Sequence, residues 1–209
     1  ALVVVTALAF DFTNGFHDTA NAMAASIATK ALTPKTAVVL CASLNLVGAL
    51  LSVEVALTVT NAVINLQNPD GTPRAELLAD GGDKLLLILL AGLAGAIIWN
   101  LITWYFGLPS SSSHALIGGL VGAAIAGQVA VKWDTILFKV IIPMVVSPLF
   151  GFCAAFVVMT AILWIFRKGN PNRINRGFRG LQTVSAAALA LGHGLQDAQK
   201  TMGVILLAR

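Results

Sequence analysis

Long apolar runs separated by short polar stretches dominate this chain. The runs cover residues 2–31, 36–66, 85–107, 115–130, 136–166 and 181–207. A helix needs roughly 20 apolar residues to cross a bilayer, and most of these runs reach that length. Hydrophobic residues make up 57% of the 209 positions and charged residues only 11%, where a soluble domain carries about a quarter. The pattern predicts an all-α polytopic membrane protein.

Three polar motifs interrupt the apolar pattern. GFHDTANA (15–22) lies inside the first run, PSSSSH (109–114) follows the third run, and GLQDAQK (194–200) lies inside the last. In lipid, irregular backbone is tolerated only where it is buried in protein or lines a cavity. We therefore expect broken or re-entrant helices at these motifs, with Asn14-Gly15 and His193-Gly194 as break points and Pro109 opening a helix. A further bend is expected near Pro143 and Pro148.

The first and third motifs align with each other. Gly15 pairs with Gly194, Asp18 with Asp197 and Met23 with Met202. Five predicted crossings separate them, so the second copy would be upside down relative to the first. Inverted repeats of this kind are typical of secondary transporters. We predict a first repeat over 1–166, a basic loop over 167–180 and the start of a second repeat over 181–209.

Charge indicates an orientation in the membrane. Five of the thirteen basic residues lie in the 167–180 loop, which the positive-inside rule places in the cytoplasm. The net charge of +4 is therefore a topology signal and not a nucleic-acid patch. Lys132 and Lys139 fall on the opposite side and weaken the assignment.

The motifs also carry candidate chemistry. A carboxylate inside the membrane is costly and usually marks a substrate or ion pathway, which singles out Asp18 and Asp197. Lys200 has the same interpretation, or else forms a structural ion pair with Asp197. Four consecutive hydroxyls near the start of a helix suit an oxyanion, because free backbone N–H groups collect there. Small residues at Gly118, Gly122 and Ala126 are expected to pack helices closely.

Three stretches resemble the inorganic phosphate transporter (PiT) family, bacterial type: NGFHDTANAMA, IIWNLITWYFGLPSSSSHALIGG and HGLQDAQKTMG. The resemblance implies an inverted-repeat secondary transporter with no enzymatic activity and no cofactor. It implies symport of inorganic phosphate, as the ion or as a metal–phosphate complex, with H⁺ or Na⁺ by alternating access. The expected location is the cytoplasmic membrane, with the lipid bilayer and a second copy in a homodimer as partners and no nucleic acid.

The resemblance also implies roles for single residues. Substrate binding is expected of Asp18, Asn21, Ser110, Ser111, Ser112, Ser113, Gln196, Asp197 and Lys200. The coupling cation is expected at Asp18, Asn21, Asp197 and Gln199, with no structural metal. His17, His114, His193 and Thr201 are further candidates. Gln196 departs from the asparagine that is common in the family. A second serine cradle would fall near residue 289, beyond Arg209, so the chain alone is expected to hold an incomplete site.

Three other functions stay open from the residues. A sulfate transporter of the same family would use the same motifs. An intramembrane serine hydrolase would use Ser, His and Asp, but the chain has no GxSxG-like nucleophile elbow. A passive anion channel is disfavoured by the paired aspartates.

Overall fold

A computed structural model describes residues 2–51 and 82–207, without the side chains of 198–200, 203, 204, 206 and 207. These residues form helices and short connections. The helices are α1 (Leu2–Ala28), α2 (Pro34–Leu51), α3 (Asp83–Tyr105), α4 (Ser112–Ala126), α5 (Trp133–Ile136), α6 (Ile142–Phe166) and α7 (Pro171–Leu207), with a π-helical stretch at Leu137–Ile141 between α5 and α6.

Three helical stretches in the described part are long and apolar enough to cross a membrane: Pro34–Leu51, Asp83–Tyr105 and Trp133–Phe166. The expected all-α membrane fold is therefore confirmed. Residues 52–81, which include the second half of the apolar run 36–66 and the polar stretch after it, lie outside the described residues.

The core lies on both sides of α1. Toward α3 and α4, the α1 side chains of Ala7 and Phe10 pack against Leu89, Leu93 and Leu116. Toward α2 and α7, a second cluster contains Met23, Ala37, Cys41, Ala186 and Ala190. Burial of these apolar surfaces holds α1 between the α3–α4 pair on one side and the α2–α7 pair on the other. The first polar motif, which α1 carries, is thereby fixed at the centre of the helical assembly.

The predicted break in the first helix is wrong. α1 runs without interruption through Asn14 and Gly15. α7 likewise continues through His193 and Gly194, and because it begins at Pro171, residues 171–180 of the predicted basic loop are helical. Polar side chains of α1 bond to polar side chains of α7. Their hydrogen-bonding capacity is therefore satisfied without unwinding either helix, and the backbone keeps its helical hydrogen bonds.

Two glycines at the interface of α2 and α7 serve packing, Gly194 of the third motif and Gly48 of α2, whereas a Cβ on Gly15 would meet no atom within 4 Å. A Cβ placed on Gly194 would overlap the carbonyl oxygen of Asn45, and one on Gly48 would lie 2.6 Å from the carbonyl oxygen of Leu191. The backbones of α2 and α7 are therefore in direct contact, and at Gly48 and Gly194 this contact is possible because glycine has no Cβ.

Two smaller expectations also change. Gly118 and Gly122 have open space around them, whereas a Cβ on Gly119 would overlap the carbonyl oxygen of Gly92. α3 and α4 therefore approach closely at Gly92 and Gly119, on a different face of α4 from the one predicted.

The predicted bend near Pro148 is not present, because α6 continues through this residue. The irregularity lies before α6, in the π-helical stretch Leu137–Ile141. A π turn absorbs local strain without ending the helix.

Candidate functional site

The first and third motifs meet because α1 and α7 run antiparallel. Contacts join Asp11 to Thr201, Asn14 to Asp197 and Asp18 to His193, and Thr29, just after α1, bonds to Gln182. As the residue number rises along α1, the partner's number falls along α7. Two helices that carry the same motif in opposite directions are the arrangement that an inverted repeat requires.

His193 bridges the two aspartates. Its Nδ1 lies 2.8 Å from Asp197 Oδ2 and its Nε2 lies 3.3 Å from Asp18 Oδ2. Both ring nitrogens therefore face carboxylate oxygens, an arrangement that suits an imidazole protonated at both. Asn14 Nδ2 also donates to Asp197 Oδ2, over 2.8 Å.

These contacts show an internal symmetry. In the motif alignment Asp18 corresponds to Asp197, and Asn14 corresponds to His193, each four residues before its aspartate. Asp18 contacts His193, and Asp197 contacts Asn14. Each aspartate thus bonds to the residue four positions before the other aspartate. An approximate two-fold axis between the helices produces such a pair of reciprocal contacts.

The serine motif completes the site from a third helix. α4 begins at Ser112, not at Pro109 as expected, and Ser111 is its N-cap, whose hydroxyl accepts a hydrogen bond from the backbone N–H of His114. A serine at this position satisfies one of the free N–H groups of the first turn. The buried Ser112 donates its hydroxyl to Asp18 Oδ2 over 2.9 Å. The N-terminal end of α4 is thereby tied to the first motif.

One cavity of about 420 Å³ brings most of the predicted residues together. Its lining includes nine of them: Asp18, Asn21, Ser110, Ser111, Ser112, Ser113, His193, Gln196 and Asp197. The hydroxyls and the α4 N-terminus supply donors for an anion, while the carboxylate oxygens of Asp18 and Asp197, which His193 bridges, suit a cation. Donors for an anion and ligands for a cation therefore share one cavity.

Other candidates lie elsewhere. His17 is buried and its Nε2 lies 3.2 Å from the Thr103 hydroxyl, so it links α1 to α3. His114 lines a different cavity, of about 520 Å³, beside Trp99. Thr201 donates to Asp11. Gln199 and Lys200 belong to α7, but their side chains lie outside the described part.

Asn14 is the site residue that the motif interpretation missed. The sequence predicts a helix break at Asn14, whereas its side chain bonds to Asp197. The sequence feature that could have identified Asn14 is its alignment with His193, four residues before the aspartate of each motif. This alignment predicts a contact with Asp197 only if α1 and α7 are known to pack antiparallel.

The fold and the cavity define an all-α membrane protein whose polar motifs converge between helices. Residues 14–209 match the model of the phosphate transporter family. A probable low-affinity inorganic phosphate transporter of Streptomyces halstedii is 51% identical over 195 residues, covering 93% of this chain and 85% of that protein. The chain belongs to the phosphate transporter family.

Other relatives are longer. A probable low-affinity inorganic phosphate transporter of Mycobacterium bovis is 51% identical over 99% of this chain, and one of Bacillus subtilis is 44% identical over the same share. The chain spans 46% and 59% of their lengths. A solved structure titled as the sodium-dependent phosphate transporter superposes with a TM-score of 0.68 at 21% identity, covering 94% of this chain and 53% of that one, which supports the shared fold.

Proposed function

We propose that this chain forms part of a symporter that moves inorganic phosphate across the cytoplasmic membrane together with H⁺ or Na⁺. The observation that carries the proposal is the single cavity in which the serine-rich start of α4 meets Asp18, His193 and Asp197. Family membership and the names of the relatives support phosphate as the substrate.

Phosphate is held in this proposal by the hydroxyls and the first N–H groups of α4. Ser112 lines the cavity but donates its one hydroxyl proton to Asp18. The oxygens of Ser110 and Ser111 accept hydrogen bonds, so their hydroxyl protons can be donated to phosphate, and the backbone of the capped first turn adds the positive end of the helix dipole. Asn21 and Gln196 contribute neutral amides to the same cavity. Lys200 lies one turn beyond Gln196 on α7 and is retained as a substrate contact.

The carboxylates give the site a basis for selecting phosphate over sulfate. A carboxylate repels a bare dianion but accepts a hydrogen bond from an oxyanion that still carries a proton. A site built to pair a substrate O–H rejects an analogue that lacks it. At neutral pH phosphate retains a proton and sulfate does not.

Coupling follows from the shared cavity. Moving an anion through a low-dielectric interior is costly, and a cation bound beside it reduces the charge that moves. Asp18, Asn21, Asp197 and Gln199 are the proposed cation contacts. Each ligand then raises the affinity for the other by the same factor. Alternating access of two inverted repeats around this site completes the proposed cycle, in a multi-pass protein that forms homodimers and needs no cofactor.

A hydrolytic function has less support. Ser112 Oγ donates directly to the carboxylate of Asp18, whereas a serine nucleophile is activated by a histidine that accepts its proton. The nitrogens of His193 face Asp18 and Asp197. A transport role therefore fits the geometry better than an enzymatic one.

The test is uptake of labelled phosphate by the full-length protein in proteoliposomes under an imposed H⁺ or Na⁺ gradient. We expect uphill uptake that one of the two gradients drives, and we expect Asp18→Asn to abolish it while the protein still inserts in the membrane. Normal uptake by Asp18→Asn would show that the carboxylate is structural. Inhibition by an equal concentration of sulfate would contradict the phosphate assignment, and uptake that ignores both gradients would contradict symport.

A further inference from the structure

A cavity of about 490 Å³ lies at the corner where α6 ends and α7 begins, and its lining contains no residue of the three motifs. Its apolar walls are formed by Met159, Ile162 and Leu163 of α6 and by Ile174 and Phe178 of α7. Sites for small molecules measure about 300–1,000 Å³ and are mostly apolar with a few polar groups. The size and the lining of this cavity therefore fit an amphipathic ligand.

Local hydrogen bonds and a ring contact fix this corner. The backbone N–H of Gly169 donates to the carbonyl oxygen of Phe166 over 2.9 Å, and the side chain of Asn170 accepts from the backbone N–H of Asn172 over 3.0 Å. The rings of Phe166 and Phe178 pack edge to face with their centroids 5.4 Å apart, which joins the end of α6 to the first turns of α7. The walls of the cavity are therefore held in place by the chain itself.

The polar part of the lining selects an anion. Arg167 and Asn175 are the polar side chains at this cavity. The sequence contains no Asp or Glu between Asp134 and Asp197, while five basic residues lie in 167–180. The guanidinium of Arg167 lies over the ring of Trp164, with Cζ 5.4 Å from the ring centroid. This contact leaves guanidinium N–H groups available as donors, and such groups pair with phosphate oxygens in bidentate geometry.

The position of the cavity along the helix favours a lipid over a free anion. The apolar span Trp133–Phe166, which is long enough to cross a membrane, ends immediately before Arg167. Arg167 therefore lies near the level of the lipid headgroups, where tryptophans such as Trp164 are enriched. No residue of α6 is buried within the described part of the chain, so acyl chains can reach the apolar walls along this helix.

We propose that this cavity binds an anionic phospholipid, whose phosphate pairs with Arg167 and whose acyl chains lie against the apolar walls. The orientation predicted from charge places the corner at the cytoplasmic leaflet, where anionic lipids attract basic segments. The site does not depend on the cavity proposed for transported phosphate. α7 begins at this corner and carries His193 and Asp197, so the bound lipid steadies one end of the helix that supplies these two groups.

The experiment measures binding of spin-labelled phosphatidylglycerol to the purified full-length protein in a neutral detergent. Unlabelled phosphatidylglycerol, phosphatidylcholine and inorganic phosphate serve as competitors. We expect phosphatidylglycerol to displace the probe at a concentration at least about tenfold lower than phosphatidylcholine, because phosphatidylcholine carries no net charge. Inorganic phosphate, which has no acyl chains, leaves the probe bound.

Matched variants separate a built site from general attraction to a basic segment. Arg167→Gln weakens binding by about tenfold or more, since it removes a hydrogen bond to a charged group, and Arg167→Lys retains part of the binding. Arg176→Gln removes the same charge from the same stretch, but Arg176 does not line the cavity, so binding falls by no more than about fivefold. Unchanged unfolding temperatures without added lipid show that the variants are folded.

A second pair of variants tests the apolar walls without a change of charge. Leu163→Trp adds bulk at the cavity lining, whereas Ile165→Trp adds the same ring outside it, at a similar exposure of 63% against 61%. We expect only Leu163→Trp to weaken lipid binding. Equal weakening by Arg167→Gln and Arg176→Gln would refute the site, and displacement of the probe by inorganic phosphate would assign the cavity to a free anion. A wild-type protein that binds no phosphatidylglycerol, as when the rest of the full-length chain covers this corner, would also refute it.

Discussion

The contact between α2 and α7 makes Gly48→Ala the most informative single substitution. Gly48 is buried against α7, and its absent side chain faces the carbonyl oxygen of Leu191 and the amide nitrogen of Leu195. Both facing atoms belong to the backbone, so neither can rotate away from an added methyl group. Relief requires one helix to move.

The size of this movement follows from the distances. The new Cβ would lie 2.6 Å and 2.7 Å from the two atoms, where 3.4 Å is the short limit of ordinary contact, so the helices must separate by about 0.8 Å. The His193–Asp197 contact of 2.8 Å lies within α7 and moves with it, but the 3.3 Å contact from His193 to Asp18 joins two helices. A misplacement of about 1 Å can reduce the rate about 100-fold, and overpacking costs about 1–3 kcal/mol.

The assay is phosphate uptake in proteoliposomes, together with thermal unfolding in detergent. We expect Gly48→Ala to lower the unfolding temperature and to reduce uptake by up to about 100-fold. Gly122→Ala is the control, because it adds the same methyl group to a helix at a position with no atom within 4 Å. Both variants gain the same helix propensity, about 0.5–1 kcal/mol, so the difference between them isolates the steric effect. Equal uptake and equal stability of the two variants would refute the reasoning.

Three further substitutions test the cavity that Asp18, His193 and the four serines line, by phosphate uptake or binding. Ser112→Ala removes the bond to Asp18, and since a hydrogen bond to a charged group contributes about 1.5–3 kcal/mol, we expect uptake at low phosphate to fall by about tenfold or more; wild-type uptake would exclude a role for this hydroxyl. Trp99→Phe removes the indole N–H that donates to Ser110 Oγ over 3.0 Å, and we expect phosphate affinity to fall by no more than about tenfold; a complete loss would indicate a larger role for Trp99. His193→Gln cannot bridge both aspartates as the imidazole does, so we expect at least about tenfold lower uptake; unchanged uptake would show the bridge to be dispensable.

The sequence predicts the fold class and the membership of the cavity well. Apolar runs of membrane-spanning length identify most of the helices, because lipid exposure leaves few polar residues on them; no residue of α6, for example, is buried. Nine predicted residues converge in one cavity because ionisable and hydroxyl side chains are rare inside such a chain and therefore stand out.

Local backbone geometry and pair contacts are less predictable. Asn14-Gly15 has the composition of a helix break, yet α1 is continuous. His193-Gly194 has the same composition, and there glycine permits close packing against α2, a use that the sequence does not distinguish from a break. The cavity at Asn45 is invisible in the sequence for a related reason. Asn45 lies in α2 and outside the three motifs, and it lines a small cavity with Asp11 and Asn14 where α2 packs closely on α7 at Gly194.

The reciprocal contacts of Asp18 with His193 and of Asp197 with Asn14 have a consequence for how such a protein diverges. An antiparallel pair of helices that carries one motif twice needs a single packing solution, applied from both ends. The position four residues before each aspartate is then held in place by the same geometry whether it is asparagine or histidine. Replacement there alters the charge that faces the aspartates without a new arrangement of helices, so the sequence can change at this position while the architecture stays the same.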